Sequence, residues 1–112
     1  MALSESEIRF NYNAALGKAN DLDAAAKALK SDGVEELGSI LVAIKRDWEG
    51  DNSDGYTKKG EKEKGLLDEI VEEMKRAAST IRQMAKNIYD AEMRALAEAR
   101  AMAEAARKAA EK

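Results

Sequence analysis

The residues with the most suggestive chemistry lie near the middle of the chain, where DNSDG occupies positions 51–55. Carboxylate and amide oxygens spaced around a glycine are what a calcium-binding loop uses. In the EF-hand loop the twelfth position is a glutamate that binds through both oxygens. Counted from Asp51, that position is Lys62 here. The segment is therefore predicted to be a hydrophilic turn, and no metal or other cofactor is expected.

Paired carboxylates are the other arrangement that could support catalysis. Glu35 is followed by Glu36, and Glu72 by Glu73, in stretches predicted to be helical. Side chains of adjacent helical residues diverge, so neither pair can hold one proton or one metal between them. The chain also has no histidine and no cysteine, which removes the commonest acid/base group and the thiol nucleophile. These observations predict a protein that is not an enzyme.

Composition restricts the remaining functions and favours helices. The 112 residues are 37% charged, with a net charge of −3, no proline and one tryptophan. Basic and acidic residues are interleaved, so no basic block is present to bind nucleic acid. No apolar run approaches the roughly 18 residues that a membrane span needs. The N-terminus, MALSESEIRF, lacks the charged and apolar regions of a cleavable signal peptide. These features predict one soluble domain, residues 1–112, of the all-α class.

The first half of the chain has the spacing of a helix seam. Ser4 and Glu7 have the form of a capping box, which predicts a helix from about residue 4 to residue 47. Apolar residues from Ile8 to Leu29 recur at alternating steps of four and three. The steps from Leu29 to Gly33 and from Gly33 to Leu37 are both four residues, a stutter that locally unwinds a supercoil. Asp32-Gly33 could end one helix and start another, but one long helix weakened there is favoured.

A second seam follows in the other half. From Leu67 to Ala95 the apolar positions again alternate by three and four, without an error. We predict a helix over about 53–110, although glycines up to Gly65 leave its start open. From Arg94 an alanine-rich extension without proline or glycine continues the helix. This extension is read first as a plain helical tail, and alternatively as a segment that another protein could hold.

The two helices are predicted to pair as an antiparallel hairpin. Each helix has more apolar surface than the other helix can cover. Apolar residues flanking the seams (Leu16, Leu41, Leu66 and Val71) widen each stripe beyond what one partner helix covers. An apolar stripe left in water needs a second hairpin, which gives a four-helix bundle. The predicted hairpin and dimer interface comprises Ile8, Tyr12, Leu22, Leu29, Leu37, Ile40, Leu41, Ile44, Trp48, Leu67, Ile70, Met74, Ile81, Met84 and Ile88.

The turn between the helices is predicted at residues 48–52, beginning with Trp48-Glu49-Gly50. An aromatic residue followed by glycine could be no more than a buried side chain before a C-terminal cap. Here it lies between two heptad helices in a chain without cysteine or signal peptide. In this context the sequence resembles the WXG family, small helical hairpins exported by the type VII (ESX) secretion machinery of Gram-positive bacteria. The likeness covers roughly residues 5–100.

Two segments carry the likeness to Firmicute members of the family: DWEGDNSDGY at 47–56 and STIRQMAKNIYDAEMRAL at 79–96. The resemblance implies that Trp48 and Gly50 form the turn and that Trp48 helps to bind a partner hairpin. It further implies a homodimer or heterodimer, export without a cleavable signal peptide from a cytoplasmic pool, and a secreted or cell-surface location. A secreted toxin and the secretion ATPase are the further partners that it implies.

One departure from the family concerns its export signal, which is a tyrosine, three residues and then an acidic residue. Here Tyr89 is followed at the third position by Glu92, and the fourth position is Met93. The third and fourth positions share a helix flank, so Tyr89 and Glu92 could present a similar patch. Alternatively, Tyr89 flanks the seam and Glu92 is a solvated charge, and a partner supplies the signal. A function of another class, an intracellular antiparallel coiled-coil scaffold or chaperone, fits the same pattern.

Overall fold

Helices make up the described part of the protein. The computed structural model describes residues 3–47 and 51–111, with side chains from residue 54 onward in the second range. The elements are α1 (Glu5–Ala28), a π-helical segment (Leu29–Glu35), α2 (Glu36–Asp47) and α3 (Asp51–Ala110). No strand occurs in these ranges. The predicted all-α class is therefore confirmed for the described residues, and Trp48 and Gly50 of the predicted turn lie outside them.

Helix α1 begins with the cap that the sequence indicates. The backbone N–H of Glu7 donates to Ser4 Oγ at 3.2 Å, and Ser4 Oγ donates to the Glu7 carboxylate at 2.9 Å. The backbone N–H of Ile8 completes the first helical bond with the Ser4 carbonyl. These bonds satisfy N–H groups that have no partner inside the helix.

The chain divides into two compact regions. The central region is Asn20–Ala78, and the terminal region combines Met1–Ala19 with Ser79–Lys112. The core of the central region contains Ala26, Val34 and Val71, each at most 1% exposed. The half-buried side chains of Leu29, Leu67 and Met74 pack against it. Burying a valine-sized side chain contributes roughly 1.5–3 kcal/mol, so this small core is what holds the central region together.

Contacts in the central region show that its two arms run antiparallel. Lys30 Nζ lies 2.7 Å from Asp68 Oδ1, the Lys64 side chain covers Gly38, and Leu41 packs on Gly60. The residue number rises along the first arm in these three contacts, while the residue number on the second arm falls. The chain therefore reverses direction between Leu41 and Gly60, as a helical hairpin requires.

The π-helical segment accommodates one extra residue in the seam of the first arm. Ala26 and Val34 are both buried and eight residues apart, whereas Val34 and Leu41 are separated by seven. A regular heptad would have placed Gly33 in the core. A π-helix has more residues per turn than an α-helix, so it rotates Val34 inward instead. The helix continues through Asp32-Gly33, where the sequence showed a stutter.

Helix α3 begins earlier than the sequence indicated. Asp51 and Asn52, assigned above to a turn, already have helical backbone, and so do the following residues up to Gly65. The hydrophilic turn predicted at 51–55 is therefore wrong for these positions. Acidic and amide residues are favoured at a helix N-terminus, where they complement the helix dipole. At the other end, the helix extends to Ala110, and Arg107 pairs with Glu104 and Glu111 in its last turns.

Gly60 provides a test of the pairing, because a Cβ atom there would overlap the Leu41 side chain. Gly65 has nothing within 4 Å of the same position and is a matched control. Alanine stabilises a helix interior by about 1 kcal/mol relative to glycine, while overpacking costs about 1–3 kcal/mol. We expect Gly65→Ala to raise the free energy of unfolding above that of the native protein. The free energy of unfolding of Gly60→Ala should be about 2 kcal/mol lower than that of Gly65→Ala. Equal stabilisation of both variants in urea titrations would contradict the contact.

Candidate binding surfaces and a tyrosine pocket

Fourteen of the fifteen residues predicted to form the interface fall into three exposure classes. Ile8 and Leu41 are buried. Half-buried positions are Tyr12, Leu22, Leu29, Leu37, Ile44, Leu67, Met74 and Ile81. Exposed positions are Ile40, Ile70, Met84 and Ile88, at 45–56%. Trp48 lies outside the described residues.

The seam on α3 has the predicted period, and Leu67, Met74 and Ile81 of one predicted row are half-buried. The second row lies one residue later than predicted, because Val71, Ala78 and Ala85 are buried seven residues apart. The neighbouring positions Ile70 and Met84, which the sequence pattern placed on the seam, are exposed. Adjacent helical residues point about 100° apart. The shift of this row therefore leaves Ile70 and Met84 on a flank and buries the smaller residues that follow them.

In the central region the exposed large apolar residues come from both arms of the hairpin. Ile40 and Val42 are 49% and 65% exposed on α2, and Leu66 and Ile70 are 51% and 45% exposed on α3. Apolar residues exposed singly are common, but several on one small helical unit are typical of a binding surface. Val42 lies about 200° around α2 from Ile40 and lines a different surface. The other three residues, Ile40, Leu66 and Ile70, are referred to below as the central apolar set.

The terminal region also exposes large apolar side chains. Phe10 is 73% exposed on α1, and Met84, Ile88 and Met102 are 54–73% exposed on α3. From residue 97 to residue 110 every side chain of α3 is exposed. The alanine-rich end of this helix therefore contributes almost no burial within the described chain.

The two residues proposed as an export patch lie in one pocket of the terminal region. The Tyr89 ring packs against the Tyr12 ring, with centroids 4.7 Å apart and planes inclined by 37°. Glu92 lines the same pocket, which has a volume of about 260 Å³, together with Ile8, Asn11, Tyr12, Ala15, Ala85, Ile88 and Tyr89. The sequence indicated Tyr89 and Glu92 through their spacing. Tyr12 comes from the other arm, which local spacing cannot reveal.

No protein-family model matches this chain, and no curated protein or solved structure matches it significantly. The likeness to WXG proteins consequently rests on the sequence segments quoted above.

A second concavity, in the central region, is an open groove of balanced charge. It has a volume of about 560 Å³ and includes Lys30, Glu35, Glu61 and Lys64 in its lining. The hydrogen bond to Asp68 raises the pKa of Lys30 above its usual value. A raised lysine pKa keeps the ammonium charged, so Lys30 acts as an ion-pair partner and not as a base. Two lysines and two glutamates lining open space give the groove no net preference for a charged ligand.

Neither a metal-binding cluster nor a membrane-spanning helix occurs in the described ranges. They contain no group of three or more acidic, histidine or cysteine side chains that could hold a metal ion. None of their helices carries an apolar stretch long enough to cross a bilayer. The helical backbone at 51–55 differs from the looped conformation that an EF-hand ligand set requires.

Proposed function

We propose that this chain is a non-catalytic binding protein of the WXG type that acts as a dimer, with itself or with a related helical hairpin. The observation that carries the proposal is the central apolar set, Ile40, Leu66 and Ile70, about half exposed on a hairpin whose seam already buries Val34, Leu41 and Val71. Covering each of these side chains would contribute on the order of 1 kcal/mol. A second hairpin offers a matching apolar surface and would form a four-helix bundle.

Export by the type VII machinery is the second part of the proposal. It is supported by the resemblance around Trp48 and by the placement of Tyr89 and Glu92 in one pocket lining. The dimer would present a composite surface that the secretion ATPase reads, either for its own export or for that of a larger toxin bound to it. The intracellular scaffold or chaperone uses the same surfaces and differs only in location.

Fractionation of a Gram-positive culture separates these two functions. The chain would be expressed in a host that has an ESX system and in the same host lacking the secretion ATPase. We expect it in the supernatant of the first culture alone, with a cytoplasmic enzyme as the marker for lysis. Retention in the cells of both cultures would reject export and favour the scaffold.

The resemblance also makes Trp48 a test of dimerisation. Trp48→Ala is expected to weaken the dimer by about 3 kcal/mol, as truncation of a buried tryptophan typically does. Sedimentation at several concentrations measures the effect, and circular dichroism checks that helicity is retained. Unchanged dimer affinity and unchanged melting would remove Trp48 from the interface.

A further inference from the structure

Glu92 follows three buried apolar residues in a seven-residue series along α3. Val71, Ala78 and Ala85 are buried seven residues apart, and the next position in the series is Glu92. One carboxylate oxygen, Glu92 Oε2, is shielded from solvent and has no hydrogen-bond partner among the described residues. Burying part of a carboxylate without a partner is costly, so a charged group at this position requires an explanation.

Nearby lysine does not neutralise this carboxylate. Lys86 Nζ lies 2.9 Å from Asp90 Oδ2, and this hydrogen bond raises the pKa of Lys86. Arg9, on the other arm, is directed to Glu5 at 3.5 Å. The pocket is therefore lined by a glutamate with an unpartnered oxygen, by two tyrosine rings and by an apolar wall. Because Oε2 is shielded, the Glu92 side chain would rotate to accept a hydrogen bond from a ligand.

A guanidinium group matches this combination better than an ammonium does. It is planar, it can lie against an aromatic ring, and it donates hydrogen bonds to a carboxylate from a fixed fork. It is also more weakly hydrated than an ammonium, so entering a pocket walled by Ile8, Ala85 and Ile88 costs it less. Attraction to the face of a tyrosine adds to the carboxylate interaction.

We propose that the pocket formed by Tyr12, Tyr89 and Glu92 binds the guanidinium group of an arginine presented by a partner protein. Ile88 belongs to the pocket wall and is 54% exposed, so apolar residues beside that arginine have a surface to cover. The inference concerns the ligand of this pocket and holds whether or not the chain is exported. It makes Glu92 an arginine receptor instead of a solvated charge.

Titration with a minimal arginine ligand tests the pocket directly. N-acetylarginine amide would be added to the full chain while the tyrosine ring resonances are followed by NMR. We expect saturable shifts at Tyr12 and Tyr89, with a dissociation constant on the order of millimolar, and none at Tyr56, which lies in the central region. N-acetylcitrulline amide has nearly the same shape without the charge, and it should bind about tenfold more weakly or worse.

Two charge-neutralising variants complete the experiment. Glu92→Gln should lower affinity for the arginine ligand about tenfold or more, whereas Glu98→Gln, at an exposed position of the same helix, should not change it. Equal binding of the citrulline ligand, unchanged binding in Glu92→Gln, or no saturable shift at roughly 50 mM ligand would each overturn the inference.

The melting temperature of Glu92→Gln distinguishes a binding role of Glu92 from a purely structural one. In the free protein, Glu92→Gln replaces a carboxylate that has one shielded, unpartnered oxygen with a neutral amide, so its melting temperature should rise while its affinity for arginine falls. A lower melting temperature would mean that the carboxylate already has a stabilising partner within the chain. That result would contradict the proposal.

Discussion

Replacing Val71 with aspartate is expected to unfold the central region. Val71 is fully buried and packs with Ala26 and Val34, so the new carboxylate would lie in the core without a partner. An unpaired charge in such a place costs several kcal/mol, a large part of the stability of a small domain. Circular dichroism should show a large loss of helical signal at 25 °C, or a melting transition lowered by tens of degrees.

The neighbouring residue supplies the control. Ile70→Asp adds the same charge one position earlier, where the native side chain is 45% exposed. An exposed substitution of this kind typically changes stability by about 0.5 kcal/mol, so this variant should remain helical. The reverse result, in which Ile70→Asp unfolds and Val71→Asp does not, would restore the seam phase that the sequence pattern suggested.

Ile70→Asp is expected to have its large effect on assembly instead. In the proposed dimer the central apolar set is covered by a second hairpin, so each dimer would bury two unpaired carboxylates. Each costs several kcal/mol, which should turn a micromolar dimer into a monomer at every accessible concentration. Sedimentation velocity from micromolar to millimolar protein measures the shift.

A charge-matched control for assembly lies on the same helix. Ser79 is exposed and nine residues after Ile70, which is two and a half helical turns and therefore the opposite side. Ser79→Asp should leave the dimer intact. If both variants dissociate alike, net charge and not the central apolar set controls assembly; if neither does, Ile70 has no place in the interface.

The sequence predicted the helical class and the antiparallel pairing because both follow from apolar spacing. It placed one of the two seam rows on α3 one residue too early, at Ile70 and Met84, whereas Leu67 and Met74 of the other row do pack against the core. The seam uses Val71, Ala78 and Ala85, since small residues let two helices approach closely. In a sequence pattern the larger apolar residues stand out as seam positions, whereas a close helix–helix contact favours smaller ones. This difference explains the error.

The pocket was only partly predictable for a different reason. Tyr89 and Glu92 share a flank by local spacing, which a sequence shows. Tyr12 joins them through pairing of α1 with α3, a long-range register that the stutter at Asp32-Gly33 left open. The seven-residue series from Val71 through Ala85 to Glu92 was the signal that could have placed Glu92 on the seam.

The particle mass in solution tests the central claim most directly. Light scattering on the purified, helical protein at micromolar concentration would measure it, both alone and after co-expression with hairpin proteins encoded beside it. The account predicts a particle of at least two chains in one of these preparations. A folded monomer in both, with the central apolar set open to water, would contradict it.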